Sequence, residues 1–268
     1  MSEVSTQEHW IETGTGQLYA KQWRPLDHHP DKLAPIVLFH DSLGCVALWR
    51  DFPERLARTL GRRVIAYDRL GFGRSSPHPG ALTPSFIHDE ASHGFGAVRE
   101  ALRLHEFVAF GHSVGGGMAV GCAATYPDRC RGLITESAQA FVEDRTLTGI
   151  AAAKEAFAQP EQLERLGKHH GDKAAWVLGA WIDTWQSPSF ANWNLDEDLR
   201  QVRCPLLVVH GEDDEYGSTL HPRRIARLVP GEATTLILPD CGHVPHRQFA
   251  DLCLDAVKRW IAICDRIR

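Results

Sequence analysis

A serine hydroxyl is a useful nucleophile at neutral pH only when a neighbouring base takes its proton. The chain places one serine where such a base can be brought in. Phe110-Gly111-His112-Ser113-Val114-Gly115-Gly116-Gly117 closes a short apolar run, residues 106–110, and opens a stretch of small residues. The Gly-x-Ser-x-Gly spacing suits a sharp strand-to-helix turn that lifts the hydroxyl clear of a sheet. Side chains two positions to either side would strike neighbouring backbone, so the turn needs Gly111 and Gly115. The helix start behind the serine adds backbone donors and a field that favours developing negative charge. A glycine-rich nucleotide-binding turn is the bland alternative. It fails because no Gly-x-Gly-x-x-Gly follows a first strand and no Gly-Lys-Ser/Thr is present.

The base is expected late in the chain, where Leu238-Pro239-Asp240-Cys241-Gly242-His243-Val244-Pro245-His246 puts a histidine in a loop before the last helical pattern. His243 follows a glycine and is the expected base. His246 is the competitor, expected instead to cap or pack at the helix start. The third member must orient and stabilise an imidazolium. Leu206-Leu207-Val208-Val209-His210-Gly211-Glu212-Asp213-Asp214-Glu215 runs a strand into four acids. Asp214 is the expected acid, with Asp213 a standing alternative and Glu136 a weaker rival. Two backbone N–H groups should hold the oxyanion: that of Val114, after the nucleophile, and that of Ser42, in the loop His40-Asp41-Ser42-Leu43-Gly44. No metal motif such as His-Glu-x-x-His occurs. The adjacent pairs His28-His29 and His169-His170 lie in polar segments and are expected at the surface.

These residues need a scaffold. Residues 9–23 read as a hairpin around Thr13-Gly14-Thr15-Gly16. Compact apolar runs at 35–40, 63–67, 106–110, 131–135, 205–210 and 234–238 suit strands buried on both faces. Helical patterns lie near 49–60, 85–103, 115–125, 218–228 and 246–264. Such alternation predicts an α/β fold with a mostly parallel sheet flanked by helices. Residues 139–198 break the rhythm, holding no convincing strand and four of the eight tryptophans. The expected organisation is a core of residues 1–138 and 199–268 with a helical cap, 139–198, inserted between two strands. Trp176, Trp181 and Trp185 are expected to line a pocket beneath that cap, although packing alone would also explain such residues.

Composition narrows the function. Of 268 residues, 43% are hydrophobic and 24% charged, and the net charge is −5, which suits a globular, water-soluble chain. There is no basic run or stripe for a nucleic acid. The doublets Arg62-Arg63 and Arg223-Arg224 are expected to be solvated or at element ends. No apolar run approaches the length of a membrane span. Seven scattered cysteines with no Cys-x-x-Cys pair read as reduced thiols, and the polar first residues show no secretory signal, so a cytoplasmic location is expected. No cofactor motif occurs, so none is expected, and the expected partner is a small-molecule substrate. The sequence leaves oligomeric state open.

The ordered landmarks at 40–44, at Asp68-Arg69-Leu70-Gly71-Phe72-Gly73-Arg74-Ser75, at 111–115, at 211–214 and at 241–246 make the chain resemble the α/β-hydrolase superfamily over essentially its whole length. The resemblance implies acyl hydrolysis of a small carboxylic ester, lactone or thioester through an acyl-enzyme. Cofactor-free C–C hydrolase or lyase chemistry on the same residues is the alternative, and a non-catalytic ligand receptor on this fold is another. The serine distinguishes the chain from superfamily members with an aspartate nucleophile. One departure stands out: Asp41 sits where the family usually has glycine, and its carboxylate is expected to point away from the site or to be paired.

Overall fold

The computed structural model describes residues 3–26 and 33–266, so His28-His29 lies outside the described residues. In chain order the elements are β1 (Val4–Thr13), β2 (Gly16–Pro25), β3 (Ile36–Phe39), α1 (Phe52–Leu60), β4 (Val64–Tyr67), α2 (Phe86–Asp89), α3 (Gly94–Ala101), β5 (Phe107–His112), α4 (Val114–Thr125) and β6 (Cys130–Glu136). Then follow α5 (Asp144–Ala156), α6 (Pro160–His170), α7 (Ala174–Trp185), α8 (Asp196–Gln201), β7 (Leu206–Gly211), α9 (Leu220–Leu228), β8 (Ala233–Leu238), α10 (Pro245–Gln248) and α11 (Ala250–Cys264). The eight strands form one sheet in the order β1-β2-β4-β3-β5-β6-β7-β8. The β1–β2 and β2–β4 pairings are antiparallel and all the others parallel, so the fold is α/β with a mostly parallel sheet.

Alternation along the central strands explains their continuous apolar runs. Val37, Ala109, Leu133 and Val208 face one apolar cluster, while Leu38, Val108, Phe110, Ile134 and Leu207 face the other. Both faces are covered by helices, so every residue of β3, β4, β5 and β7 is buried. The outer strand β8 is only half-covered and keeps its threonines exposed.

Several local expectations change. The hairpin is longer than predicted, since β1 and β2 pair from Val4↔Pro25 to Thr13↔Gly16. The continuous helical pattern at 85–103 is broken into α2 and α3 by a turn at Glu90–His93. Arg62 stands between the end of α1 and the start of β4, one of the two expected settings, and is buried there because its guanidinium donates to Ala34 O at 2.8 Å and pairs with Asp265 at 2.5 Å. Between β6 and β7 the chain is helical, with one isolated bridge, Phe141↔Asn194. This stretch is no detached unit: Ile150, Ile182, Trp185, Phe190 and Leu195 belong to the main apolar cluster with Met118 and Ala119 of α4. Among the described residues, no helix is long and apolar enough to cross a membrane.

Candidate active site

The turn at Gly111–Gly115 is built by close approach. A Cβ on Gly111 would lie 2.0 Å from Gly115 O, and one on Gly115 would lie 2.2 Å from Phe39 O. Any larger residue would push α4 off the ends of β3 and β5. Ser113 itself adopts φ 57°, a left-handed conformation that a non-glycine residue holds only when its surroundings impose it. The constraint includes its own N–H, which donates to Glu136 O at 2.8 Å.

His243 stands in the loop between β8 and α10. Its Nδ1 is 2.8 and 2.9 Å from the two carboxylate oxygens of Asp214, which is fully buried just past β7. Asp214 Oδ1 also accepts the Tyr216 N–H at 2.8 Å. Burial disfavours the His243 imidazolium, but the Asp214 charge and hydrogen bond outweigh it, with Glu215 and Asp41 adding to them, so His243 sits above its ordinary value. Burial likewise disfavours the Asp214 carboxylate, yet His243 holds it below the usual range. Asp213 is exposed and spends its N–H on Cys241 O at 2.9 Å, away from the ring. Asp214 is thus hydrogen-bonded to His243, and His243 and Ser113 line the same cavity. The Ser113 hydroxyl is not hydrogen-bonded to the histidine here; it faces Gln139 Oε1 at 3.5 Å.

A cavity of about 240 Å³ opens on this group, lined by Asp41, Ser42, Leu43, Ser113, Gln139, Thr146, Ile150, Trp181, Trp185, Glu215, Tyr216, His243 and Val244. Among the described residues the Ser42 amide has no acceptor, and Val114 opens α4, where the first amides of a helix are unspent. The loop of residues 40–44 is fixed from behind. His40 Nδ1 donates to Asp41 O at 2.8 Å, while its Nε2 accepts the Arg69 N–H at 3.2 Å. Burial drives His40 well below the ordinary histidine value, which fits this neutral tautomer. Asp68 accepts the N–H groups of Val46 at 2.6 Å and Arg74 at 2.7 Å.

Three expectations fail here. Trp176 does not line the cavity: its indole N–H is tied to Gly80 O at 2.9 Å and its ring stacks on His78 at 5.0 Å, drawing it out over residues 71–80. Trp181 and Trp185 do line it. His170 is not at the surface; it is buried, accepts the Gly73 N–H at 2.9 Å and donates from Nε2 to Leu43 O at 3.0 Å, so α6 braces the loop of residues 40–44. Asp41 is not paired: it is among the residues lining the cavity, its Oδ1 lies against Gly44 of the same loop, and its carboxylate has no hydrogen-bond or ion-pair partner among the described residues. Sequence reasoning also missed Gln139, which is buried and in contact with Ser113; a lone glutamine after a strand carries no motif.

Glu136, the weaker rival for the acid, belongs to a different pair. Its oxygens accept the His246 N–H at 2.7 Å and face His246 Nδ1 at 2.6 Å. His112, pushed down to about 4 by burial and therefore neutral, donates from Nε2 to His243 O at 2.8 Å.

Comparison with known proteins agrees with this fold. The profile of the alpha/beta hydrolase fold family matches residues 34–178. A serine hydrolase of Homo sapiens is 28% identical over 192 residues, covering 70% of this chain and 65% of its own length, so the chain matches just under two thirds of that relative. A putative carbamate hydrolase of Caulobacter sp. strain K31 is 28% identical over 218 residues, 71% of this chain and 77% of that one. Among solved structures, a thermophilic esterase from Thermogutta terrifontis superposes with a TM-score of 0.71 at 21% identity, covering 96% of this chain and 99% of the other.

Proposed function

This chain belongs to the α/β-hydrolase family, and from that premise we propose that it is a serine hydrolase that cleaves a small carboxylic ester, lactone or thioester through an acyl-enzyme on Ser113. The observation that carries the reading is the buried Asp214 carboxylate, which binds His243 Nδ1 and leaves the ring's other nitrogen available to the cavity that holds Ser113. In the reaction, Ser113 Oγ attacks the carbonyl carbon while His243 takes its proton, and Asp214 stabilises the resulting imidazolium. The amides of Ser42 and Val114 receive the oxyanion. His243 then protonates the leaving group, and water, deprotonated by the same ring, releases the acid. The Ser113–His243 hydrogen bond forms when substrate displaces the hydroxyl from Gln139; such bonds are often loose before substrate arrives. The segment 139–198 acts as a cap over the core of 1–138 and 199–268, since Thr146, Ile150, Trp181 and Trp185 supply one wall of the cavity.

The test is covalent labelling with a neutral fluorophosphonate followed by peptide mass spectrometry. The adduct is expected on Ser113, and Ser113→Ala should lose both label and ester turnover while keeping its melting temperature. An adduct on another residue, or a folded protein that takes no label, overturns the reading. Turnover of vinylogous diketones with no turnover of esters would transfer it to C–C hydrolysis.

A further inference from the structure

The cavity has a charge sign as well as a shape. Two carboxylates line it, Asp41 and Glu215, and no lysine or arginine does. Two cations lie close enough to act on Asp41, but both spend hydrogen bonds elsewhere: Arg69 on Asp41's own carbonyl oxygen at 2.9 Å and Arg247 on Leu48 O at 2.6 Å. The Asp41 carboxylate is thus left without a partner. Three aromatic residues, Trp181, Trp185 and Tyr216, line it as well. Aromatic faces attract cations through the ring quadrupole. Gln139 is a third kind of observation. It is 3% exposed and lines the cavity, and its amide nitrogen has no partner among the described residues. The amide oxygen accepts the Ser113 hydroxyl, and the nitrogen is left as a donor for a group in the cavity.

We infer that this cavity selects substrates bearing a positively charged nitrogen, a protonated amine or quaternary ammonium, seated between the Asp41 carboxylate and the aromatic residues, with Gln139 bonding a polar atom beside it. The inference rests on the hydrolase reading and adds the substrate class. It also resolves a conflict within that reading. Asp41 belongs to the loop that should supply the oxyanion amide of Ser42, and a bare carboxylate there opposes negative charge building on the substrate. A substrate cation cancels that charge in place. A neutral substrate leaves the opposition standing, and an anionic one adds to it. The volume of about 240 Å³ restricts the bound portion to a small group.

The experiment uses activated esters in matched trios of equal chain length, ending in trimethylammonium, a neutral tert-butyl group or a carboxylate. One trio carries the variable group on the acyl side and the other on the leaving-group side. In at least one trio, kcat/KM is expected to fall in the order ammonium, neutral, carboxylate, by about tenfold or more per step at low salt, and the spread should shrink as salt is added. Asp41→Asn keeps the side-chain volume and should compress the ammonium-to-carboxylate ratio by about tenfold, lowering the ammonium ester and raising the carboxylate one. Equal rates across both trios, a faster carboxylate ester, or a ratio that Asp41→Asn leaves unchanged overturns the inference. If Ser113 is still labelled by the neutral phosphonate in that case, the hydrolase reading stands without it. If no ester turns over and no label appears, both fall together.

Discussion

Two carboxylate–imidazole pairs sit side by side beneath the cavity, and they have opposite characters. Asp214–His243 and Glu136–His246 are made of the same chemical parts at the same range, 2.8 and 2.6 Å. The ring of His112 stands between them, 5.1 Å from the His243 ring and 5.1 Å from the His246 ring. The difference lies in what covers the far side of each imidazole. His243 keeps 10% of its side chain exposed and lines the cavity beside Ser113. His246 is packed under Trp49 at 4.8 Å and Phe52 at 5.2 Å, with no route to substrate. A carboxylate–histidine pair is therefore a base only where the fold leaves the second nitrogen a proton to take. Where it does not, the same pair is architecture. Glu136 shows what that architecture does: its carbonyl holds the Ser113 N–H, and its carboxylate holds the start of α10, just after the loop carrying His243. His112, Glu136 and His246 have ligating atoms within 4.8 Å of one another, but both Glu136 oxygens are already engaged by His246.

The comparison breaks first at Asp214. Asp214→Asn removes the charge that stabilises the imidazolium and favours the wrong tautomer, so kcat should fall by up to about 10⁴ with the melting temperature little changed. Asp213→Asn, at an exposed neighbour, should leave kcat within a few-fold of wild type. Steady-state kinetics on one activated ester decides between them. If Asp213→Asn is the damaging change, the acid has been misplaced by one residue.

Glu136→Ala should invert the pattern, costing stability first. Removing one partner of a buried pair costs about 3–5 kcal/mol, which urea denaturation at pH 7 would show as a lower midpoint. The loss has a pH signature. Burial disfavours the Glu136 carboxylate, but the charge and hydrogen bonds of His246 more than compensate, so its folded value lies below the ordinary one. A depressed carboxylate stabilises above its unfolded value, about 4.3, and that contribution disappears as pH falls through the folded one. The gap between wild type and variant should therefore be widest near neutrality and narrow below about pH 4. A gap that grows in acid, or a variant of native stability that has lost all turnover, would mean that Glu136 serves in the reaction itself.

Much of this arrangement was legible in the residues. Strands buried on both faces leave continuous apolar runs, and a turn that admits only glycine at two positions leaves Gly111 and Gly115. His243 and the acids after β7 were legible because chain order and loop position restrict where a base and its partner can stand. What escaped was everything set by a partner far along the chain. Glu136 and His246 are 110 residues apart and meet only because β6 ends beside the β8–α10 loop. His170 reads as one of two polar histidines at a helix end, yet it reaches Leu43 across 127 residues. Trp176 and Trp181 share one helix and one composition, and only the direction of each side chain separates a wall of the cavity from a brace outside it.

The smallest effect concerns pH and separates the two imidazoles most finely. His243 must be neutral to accept the serine proton, so kcat/KM should rise with pH through its midpoint and then level off. Burial alone would place that midpoint below about 6.5, the ordinary histidine value. The Asp214 charge and hydrogen bond, with smaller contributions from Glu215 and Asp41, reverse the balance and hold it above. Glu215→Gln removes one raising charge while retaining an acceptor for the His243 N–H, which Glu215 Oε2 now takes at 3.1 Å. The midpoint should then move to lower pH by less than about one unit, the plateau changing little. His246→Gln leaves every charge that raises His243 in place and should shift the midpoint by no more than a few tenths of a unit, roughly the error of the measurement, even though it destabilises the fold. The measurement is a kcat/KM profile between pH 5 and 9 on a neutral activated ester for wild type and both variants. A midpoint that follows His246 instead of Glu215 would mean the titrating base lies in the second pair, and the distinction drawn between the two would be wrong.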